Sequence, residues 1–156
     1  MQNNKIVERS LNIFSKIGLI MSFLLIVMIS YLSLISAEKI NSITRFPFDD
    51  KGAHMLAYAL LGVFLYFSFI KFSYKKHHTN RDIIVSNWIL LPSAFTLIVG
   101  VAIGTIIELI QAQVGRQFEL FDVVADGLGL LVGCAIGYYI IKLYLTIVIK
   151  KDYIDE

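Results

Sequence analysis

A group of ionisable side chains lies between the last two long apolar runs of this sequence. Charges at membrane depth are costly, usually face the interior of a helix bundle and mark a functional site. The carboxylates of this group could move a proton or bind a cation, and its one arginine could bind a phosphate or carboxylate group. The five members are Glu108, Arg116, Glu119, Asp122 and Asp126.

Helical spacing gives these side chains a direction. Small residues four positions apart let membrane helices approach closely, and the acidic groups extend two such faces at 3.6 residues per turn. We therefore expect them to point at neighbouring helices, and we expect the third and fourth helices to make the closest contact. One face comprises Gly100, Gly104, Glu108 and Gln111, and the other comprises Asp122, Asp126, Gly129, Gly133 and Gly137.

The elements that position these groups follow from the composition. The chain has 156 residues and is 57% hydrophobic, more than a soluble domain of this size needs. We predict an all-α integral membrane protein, a single domain over residues 1–156 with four transmembrane helices in one bundle. The 21 uncharged residues of the first apolar run favour an uncleaved helix over a signal peptide, whose apolar part has about 7–15 residues. The helices are expected near residues 17–37, 53–72, 88–110 and 123–142.

The distribution of lysine and arginine predicts the orientation. Ten of the fourteen lie before the first helix, in the 71–87 loop or in the C-terminal part. Basic loops stay in the cytoplasm, so we expect both termini and the 71–87 loop there, with residues 38–52 and 108–122 outside. The same rule accounts for the basic loop, and we expect no nucleic-acid partner.

A second polar group lies at the start of the second helix, on the same outer side. Asp50 is expected to cap the free N–H groups of that helix, and Asp122 those of the fourth. Asp126 lies too far along the fourth helix to be a cap and needs a partner or a proton; Arg116 is the natural partner for it, Glu108 or Asp122. We predict a pocket near the outer boundary formed by His54, Glu108, Arg116, Asp122 and Asp126, with Asp50, Lys51 and Gln111 at its rim.

Two segments resemble the VanZ-like family of small membrane proteins. The stretch from Asp50 to Tyr58 is similar to that family's D-K-x-x-H-x-x-x-Y pattern. The stretch from Glu108 to Gly129 is similar to its E-x-x-Q…R…D-x-x-x-N-x-x-G pattern, except that Asp126 stands where the family more often has Asn. The resemblance covers the second to fourth helices. It implies a four-helix membrane protein with an outward-facing polar cluster, and it links the chain to glycopeptide (teicoplanin-type) antibiotic resistance without supplying a reaction.

Several functions fit this cluster. The first is a binding site for an envelope ligand, a lipid-linked precursor or lipopeptide, in which Arg116 and Lys51 meet phosphate or carboxylate groups. The second is a membrane-embedded enzyme acting on such a lipid, with His54 or Glu108 as general base. A small transporter is the weakest fit, because no polar residue lines the inner half of the bundle, and a purely structural ion-pair network is the alternative to all three.

A metal site is a further alternative. His54 with the carboxylates could in principle make a mixed nitrogen and oxygen site for a divalent cation. No nucleophile motif and no signature of spaced metal ligands accompanies them, however. We therefore expect no metal and no cofactor, and we expect the lipid bilayer and an envelope ligand as partners.

Overall fold

Four long helices make up the described part of the chain. In the computed structural model they are α1 (Gln2–Leu34), α2 (Asp50–His77), α3 (Leu91–Gln113) and α4 (Leu120–Asp152). The structure describes residues 2–34, 50–77, 89–113 and 119–152, with side chains for residues 5–33, 52–74, 89–113 and 119–148. The four helices pack together, and the predicted all-α architecture is confirmed.

Each helix contains a stretch long and apolar enough to cross a bilayer. These stretches are Lys5–Ser33, Gly52–Tyr74, Leu91–Gln113 and Leu120–Val148. Large apolar side chains are exposed on all four helices, among them Phe23, Leu60, Ile98 and Leu143. Apolar surface of this extent would be a liability in water, whereas lipid solvates it without cost. The chain is a multi-span membrane protein.

The first and last helices are longer than their apolar runs. Helix α1 begins about four turns before the expected start at residue 17, and α4 continues to Asp152 beyond the expected end at 142. The extension of α1 buries Val7 and Leu11, which are one turn apart, in one cluster with Leu145 of α4. A continuous apolar run marks only what lies in lipid, so the sparser apolar positions of the helix ends were missed.

Helix α3 is shifted by three residues relative to the expected 88–110. A turn closed by the Ser93 amide and the Leu90 carbonyl at 3.1 Å begins it. Pro92 is buried in the first turn of the helix, where its missing N–H costs least.

The glycine face of α4 packs against α2, which corrects the expected closest contact of α3 with α4. A Cβ added at Gly129 or Gly133 would collide with the α2 backbone at Met55 or Ala59. The reverse holds for Gly62 of α2, where a Cβ would lie 2.9 Å from the Leu130 carbonyl oxygen. Spacing tells which residues share a face but not which helix that face meets. Close backbone approach needs small residues on both helices, and α2 supplies Ala59 and Gly62.

The glycines of α3 have a different use: they make room for side chains. The space beside Gly100 is filled by the Leu130 side chain, and the space beside Gly104 by Asp126 and Tyr58. Helix α3 therefore lies further from α4 than the glycine pattern suggested, and its small residues accommodate a core leucine and two polar groups.

Two buried clusters hold the bundle together. One cluster joins α1, α2 and α4. It lies toward the end of the bundle that carries Lys71 of α2 and Lys142 of α4. Its buried members are Val7, Leu11, Tyr66, Phe67, Ile70, Tyr74, Ile141 and Leu145. The other joins all four helices and comprises Ile29, Tyr58, Leu61, Leu65, Ile107 and Leu130. This second cluster lies next to the polar residues at the ends of α1 and α3 and the starts of α2 and α4.

Candidate functional site

The predicted site residues that the structure describes gather at one end of the bundle. Helices α1 and α3 end there, and α2 and α4 begin there. A hydrogen bond from Gln111 Nε2 to the Ser33 carbonyl, 3.1 Å long, joins the ends of α3 and α1. Gln111 is only 2% exposed, so it lies under the rim where the sequence placed it and ties α1 to the bundle.

His54 and Asp126 are joined directly across the α2–α4 contact. His54 Nδ1 lies 3.1 Å from Asp126 Oδ1, and Asp126 is 1% exposed. Tyr58, one turn after His54 on the same face of α2, donates a second hydrogen bond to the Asp126 carboxylate through its hydroxyl. Among the residues that the structure describes, Asp126 thus has two partners, His54 and Tyr58.

Gly104 of α3 leaves space for the Asp126 carboxylate and the Tyr58 hydroxyl. A methyl group at Gly104 would lie 2.9 Å from Asp126 Oδ2 and 3.3 Å from the Tyr58 hydroxyl oxygen. Three helices therefore meet around one carboxylate: α4 supplies it, α2 supplies both of its described hydrogen-bond partners and α3 supplies the space.

Glu108 and Asp122 lie close to His54. One ligand atom each of His54, Glu108 and Asp122 lie within 4.8 Å of one another. Glu108 is 1% exposed and Asp122 is 5% exposed. Neither Glu108 oxygen accepts a hydrogen bond of ordinary geometry from the described residues, although the Glu119 backbone lies near enough to influence it. The carboxylates share one small polar space closed to solvent.

Asp122 does not occupy the cap position predicted for it. Helix α4 begins at Leu120, and the Asp122 amide already bonds the Glu119 carbonyl at 3.0 Å. Asp122 is therefore the acidic residue of the first turn, where a negative charge still faces the positive end of the helix dipole. The helix begins before the expected start at residue 123, because Leu120 and Phe121 already belong to its first turn.

The structure does not describe the side chains of three of the eight predicted site residues. Arg116 lies outside the described residues, and so do the side chains of Asp50 and Lys51, although α2 does begin at Asp50. The expected ion pair of Arg116 and the expected capping by Asp50 stay predictions.

A family model described as VanZ/LLP1 matches residues 2–144, which is most of the chain and includes all four helices. The chain belongs to the VanZ/LLP1 family. No curated protein and no solved structure matches it. The resemblance drawn from the two polar segments is confirmed, and the match extends it over α1.

Sequence reasoning left one member of the VanZ/LLP1 protein's cluster out of the site. Tyr58 is 1% exposed and bonds the same carboxylate as His54. Two signals could have found it: the four-residue spacing from His54, and its place at the end of the first family-like segment. The shared face alone does not place Tyr58 in the site, because the sequence does not show that Asp126 faces the same side of α2.

The arrangement combines an imidazole held by the Asp126 carboxylate with two further buried carboxylates, Glu108 and Asp122. An imidazole held by a carboxylate can act as a general base or as a metal ligand through its other nitrogen. The carboxylates can accept hydrogen bonds from amines or hydroxyls, or ligate a cation. Among the side chains that the structure describes, the lysines and arginines lie on the parts of α1, α2 and α4 remote from this cluster.

Proposed function

We propose that this VanZ/LLP1-family protein binds a ligand of the cell envelope, a lipid-linked precursor or lipopeptide, and thereby alters susceptibility to glycopeptide antibiotics. The observation that carries the proposal is the one-sided placement of polar groups. His54, Glu108, Asp122 and Asp126 gather at one end of the bundle, whereas the lysines and arginines with described side chains lie toward the other. The positive-inside rule assigns the basic end to the cytoplasm. Both termini are then cytoplasmic, and the cluster faces the envelope.

The chemistry of the cluster suggests what part of the ligand enters it. Buried carboxylates recognise amines and hydroxyls, which lipopeptides and lipid-linked sugars both carry. Phosphate or carboxylate groups of the same ligand would be bound by Arg116 and Lys51, as the sequence predicts for them. The proposed ligand therefore has a lipid part, which reaches the site from the bilayer, and a polar head that fits between α2, α3 and α4.

The orientation is tested by cysteine labelling in intact cells. Cys134 is buried and is replaced by serine to give a silent background. Single cysteines at Lys71 and Glu119, which are both exposed and lie at opposite ends of the bundle, are then treated with a membrane-impermeant maleimide. We expect labelling at position 119 and protection at position 71. The opposite pattern would place the cluster in the cytoplasm and remove the envelope ligand from consideration.

The ligand site is tested by isosteric substitution in a glycopeptide-susceptible host. Glu108→Gln, in the cluster, is compared with Glu119→Gln, which removes the same charge from an exposed position at the same end of the bundle. Membrane abundance and drug susceptibility are measured together. A ligand site predicts normal abundance of both variants and loss of the phenotype only in Glu108→Gln.

Two other outcomes reject the proposal. If Glu108→Gln lowers the amount of folded protein, with any phenotype lost only in proportion, then the network is structural, because breaking a buried charged contact leaves its partner uncompensated. If wild type and both variants leave susceptibility unchanged, the antibiotic connection is wrong.

A second candidate function is favoured by one contact. The hydrogen bond between His54 and Asp126 is the arrangement in which a carboxylate orients an imidazole for general-base catalysis. A membrane enzyme built on it would turn over a lipid-linked substrate as purified protein and lose the turnover in His54→Ala. Binding of that substrate without any turnover would leave the ligand site as the better account.

A further inference from the structure

Glu108 is buried in a way that ordinary packing does not account for. It is 1% exposed, and no described residue donates a hydrogen bond of ordinary geometry to either carboxylate oxygen. An ionised carboxylate removed from water is costly unless a cation or several hydrogen bonds compensate it. Among the described residues, the charged groups near Glu108 are Asp122 and Asp126, which are acidic, and His54, which can carry a positive charge. A single histidine among three carboxylates leaves the described cluster short of positive charge.

Three side chains around Glu108 and His54 offer donor atoms that lie close together. The atoms offered by His54, Glu108 and Asp122 lie within 4.8 Å of one another. Ligands at about 2.1 Å from a shared ion lie roughly 3–4 Å apart. Side-chain adjustments of about an ångström would therefore close the three on one cation. The two carboxylates also carry the two negative charges that balance a divalent ion.

A second observation concerns the histidine. His54 Nδ1 faces Asp126 Oδ1 at 3.1 Å, and Asp126 is held in turn by the Tyr58 hydroxyl. With Asp126 ionised, Nδ1–H is the donor, so the lone pair of the imidazole is on Nε2. A histidine that ligates a metal nearly always donates its other ring N–H to a carboxylate or carbonyl in this way, which fixes the ring and its tautomer.

We propose that His54, Glu108 and Asp122 bind one divalent transition-metal ion, Mn²⁺ or Zn²⁺, and that Asp126 and Tyr58 orient the histidine. The donor set decides the class of ion. Carboxylates alone suit Mg²⁺ and Ca²⁺, whereas an imidazole nitrogen favours Mn²⁺, Zn²⁺ and similar ions. This assignment departs from the expectation, drawn from the sequence, that no metal binds. The ion uses residues of the proposed ligand site, but its binding does not require an envelope ligand.

The first test measures metal binding to the full-length protein, purified in detergent without a histidine tag. After EDTA treatment the protein is titrated with Mn²⁺ or Zn²⁺, and bound metal and thermal stability are measured. We expect about one ion per chain and a melting temperature that rises with metal concentration. Wild type that takes up neither ion at saturation, with an unchanged melting temperature, overturns the proposal. In that case an Arg116→Gln variant that unfolds at lower temperature would identify the arginine as the compensating charge.

Variants assign the roles. Glu108→Gln should weaken metal binding by at least ~100-fold, whereas Asp126→Asn, which acts through the histidine, should weaken it by about 10–100-fold. Glu119→Gln is the matched control and should bind as wild type does. Equal affinity in Glu108→Gln and Glu119→Gln would place the ion elsewhere and refute the assignment.

Spectroscopy of the wild type tests the histidine ligand directly, even if a cluster variant does not fold. Electron-spin-echo modulation of bound Mn²⁺ should contain the signature of an imidazole nitrogen. The signature should persist in the double variant His77→Ala/His78→Ala, which removes the other two histidines of the chain. Its absence from wild type, or its loss in that double variant, contradicts the proposal. If the protein binds the metal but does not alter drug susceptibility, the metal site is supported and the proposed function is rejected.

Discussion

Replacing Gly133 by alanine should push α4 away from α2. An added Cβ would lie 2.8 Å from both Gly62 Cα and the Val63 nitrogen, and closer still to the Ala59 carbonyl oxygen. All three are backbone atoms, so no side chain can rotate out of the way and the helices themselves must separate. Gly127 is the matched control, because an added Cβ there meets nothing within 4 Å.

The size of the effect follows from two opposing contributions. Glycine to alanine inside a helix gains about 0.5–1 kcal/mol of intrinsic stability at either position. Overpacking a tight contact costs about 1–3 kcal/mol, and only Gly133→Ala incurs it. Because the helix term is common to both variants, the free energies of unfolding should differ by about 1–3 kcal/mol, with Gly127→Ala the more stable.

Thermal unfolding of the two purified variants in one detergent measures this difference. At about 2–4 °C per kcal/mol for a chain of this size, Gly133→Ala should melt roughly 2–12 °C below Gly127→Ala. Comparing the variants with each other cancels the helix-propensity gain. Equal melting temperatures, or a higher one for Gly133→Ala, would refute the assignment of the α4 glycines to a backbone contact with α2.

Three further predictions concern single contacts. Tyr58→Phe removes a donor from the buried carboxylate of Asp126 and should lower the free energy of unfolding by about 1–3 kcal/mol, measured by thermal unfolding; no change would show that the hydroxyl is dispensable. Gln111→Leu should cost about 0.5–1.5 kcal/mol, because the Ser33 carbonyl loses its bond to the amide; faster proteolysis near the end of α1 would accompany it. Cys134, which is 4% exposed, should resist thiol reagents until the protein unfolds, and rapid labelling of folded protein would contradict its burial.

The fold was largely predictable, because each helix carries an apolar stretch that only lipid can solvate. Which helices pack closely against each other was not predictable. The periodicity of Gly129 and Gly133 marks a close contact, yet α2 and α3 both offer glycines that could receive it. What decides between them is the combination of Ala59 and Gly62 on one face of α2, and that combination is recognisable only once the register of the two helices is known.

Part of the site was predictable, because burying a charged side chain in a membrane is costly and such residues are therefore conspicuous in an apolar sequence. Glu108 and Asp126 stood out because they interrupt or border apolar runs, and both are buried in the structure. Spacing could not reveal that Asp126 bonds His54, since the two lie 72 residues apart. Nor could it distinguish a cap from a first-turn residue at Asp122, because helix ends depend on tertiary contacts as well as on local sequence.

Packing and chemistry depend on the same face of α4. Asp126 and Gly129 are one turn apart, and Gly129 lies against the backbone of Met55, the residue after His54. The two backbones therefore approach closely beside the histidine, so the short side chain of aspartate spans the gap with a 3.1 Å contact. At a wider separation the same carboxylate would not reach.

Gly129→Ala should consequently weaken the contact between His54 and Asp126 without touching either side chain. A double-mutant cycle with Asp126→Asn measures this through the free energies of unfolding. If α4 moves away, Asp126→Asn costs less in the Gly129→Ala background than in wild type, because the bond it impairs is already stretched. We expect a coupling of about 0.5–3 kcal/mol, the range for residues in contact. Additivity to within about 0.5 kcal/mol would mean that the carboxylate keeps its partner at any helix separation, and that the glycine serves packing alone.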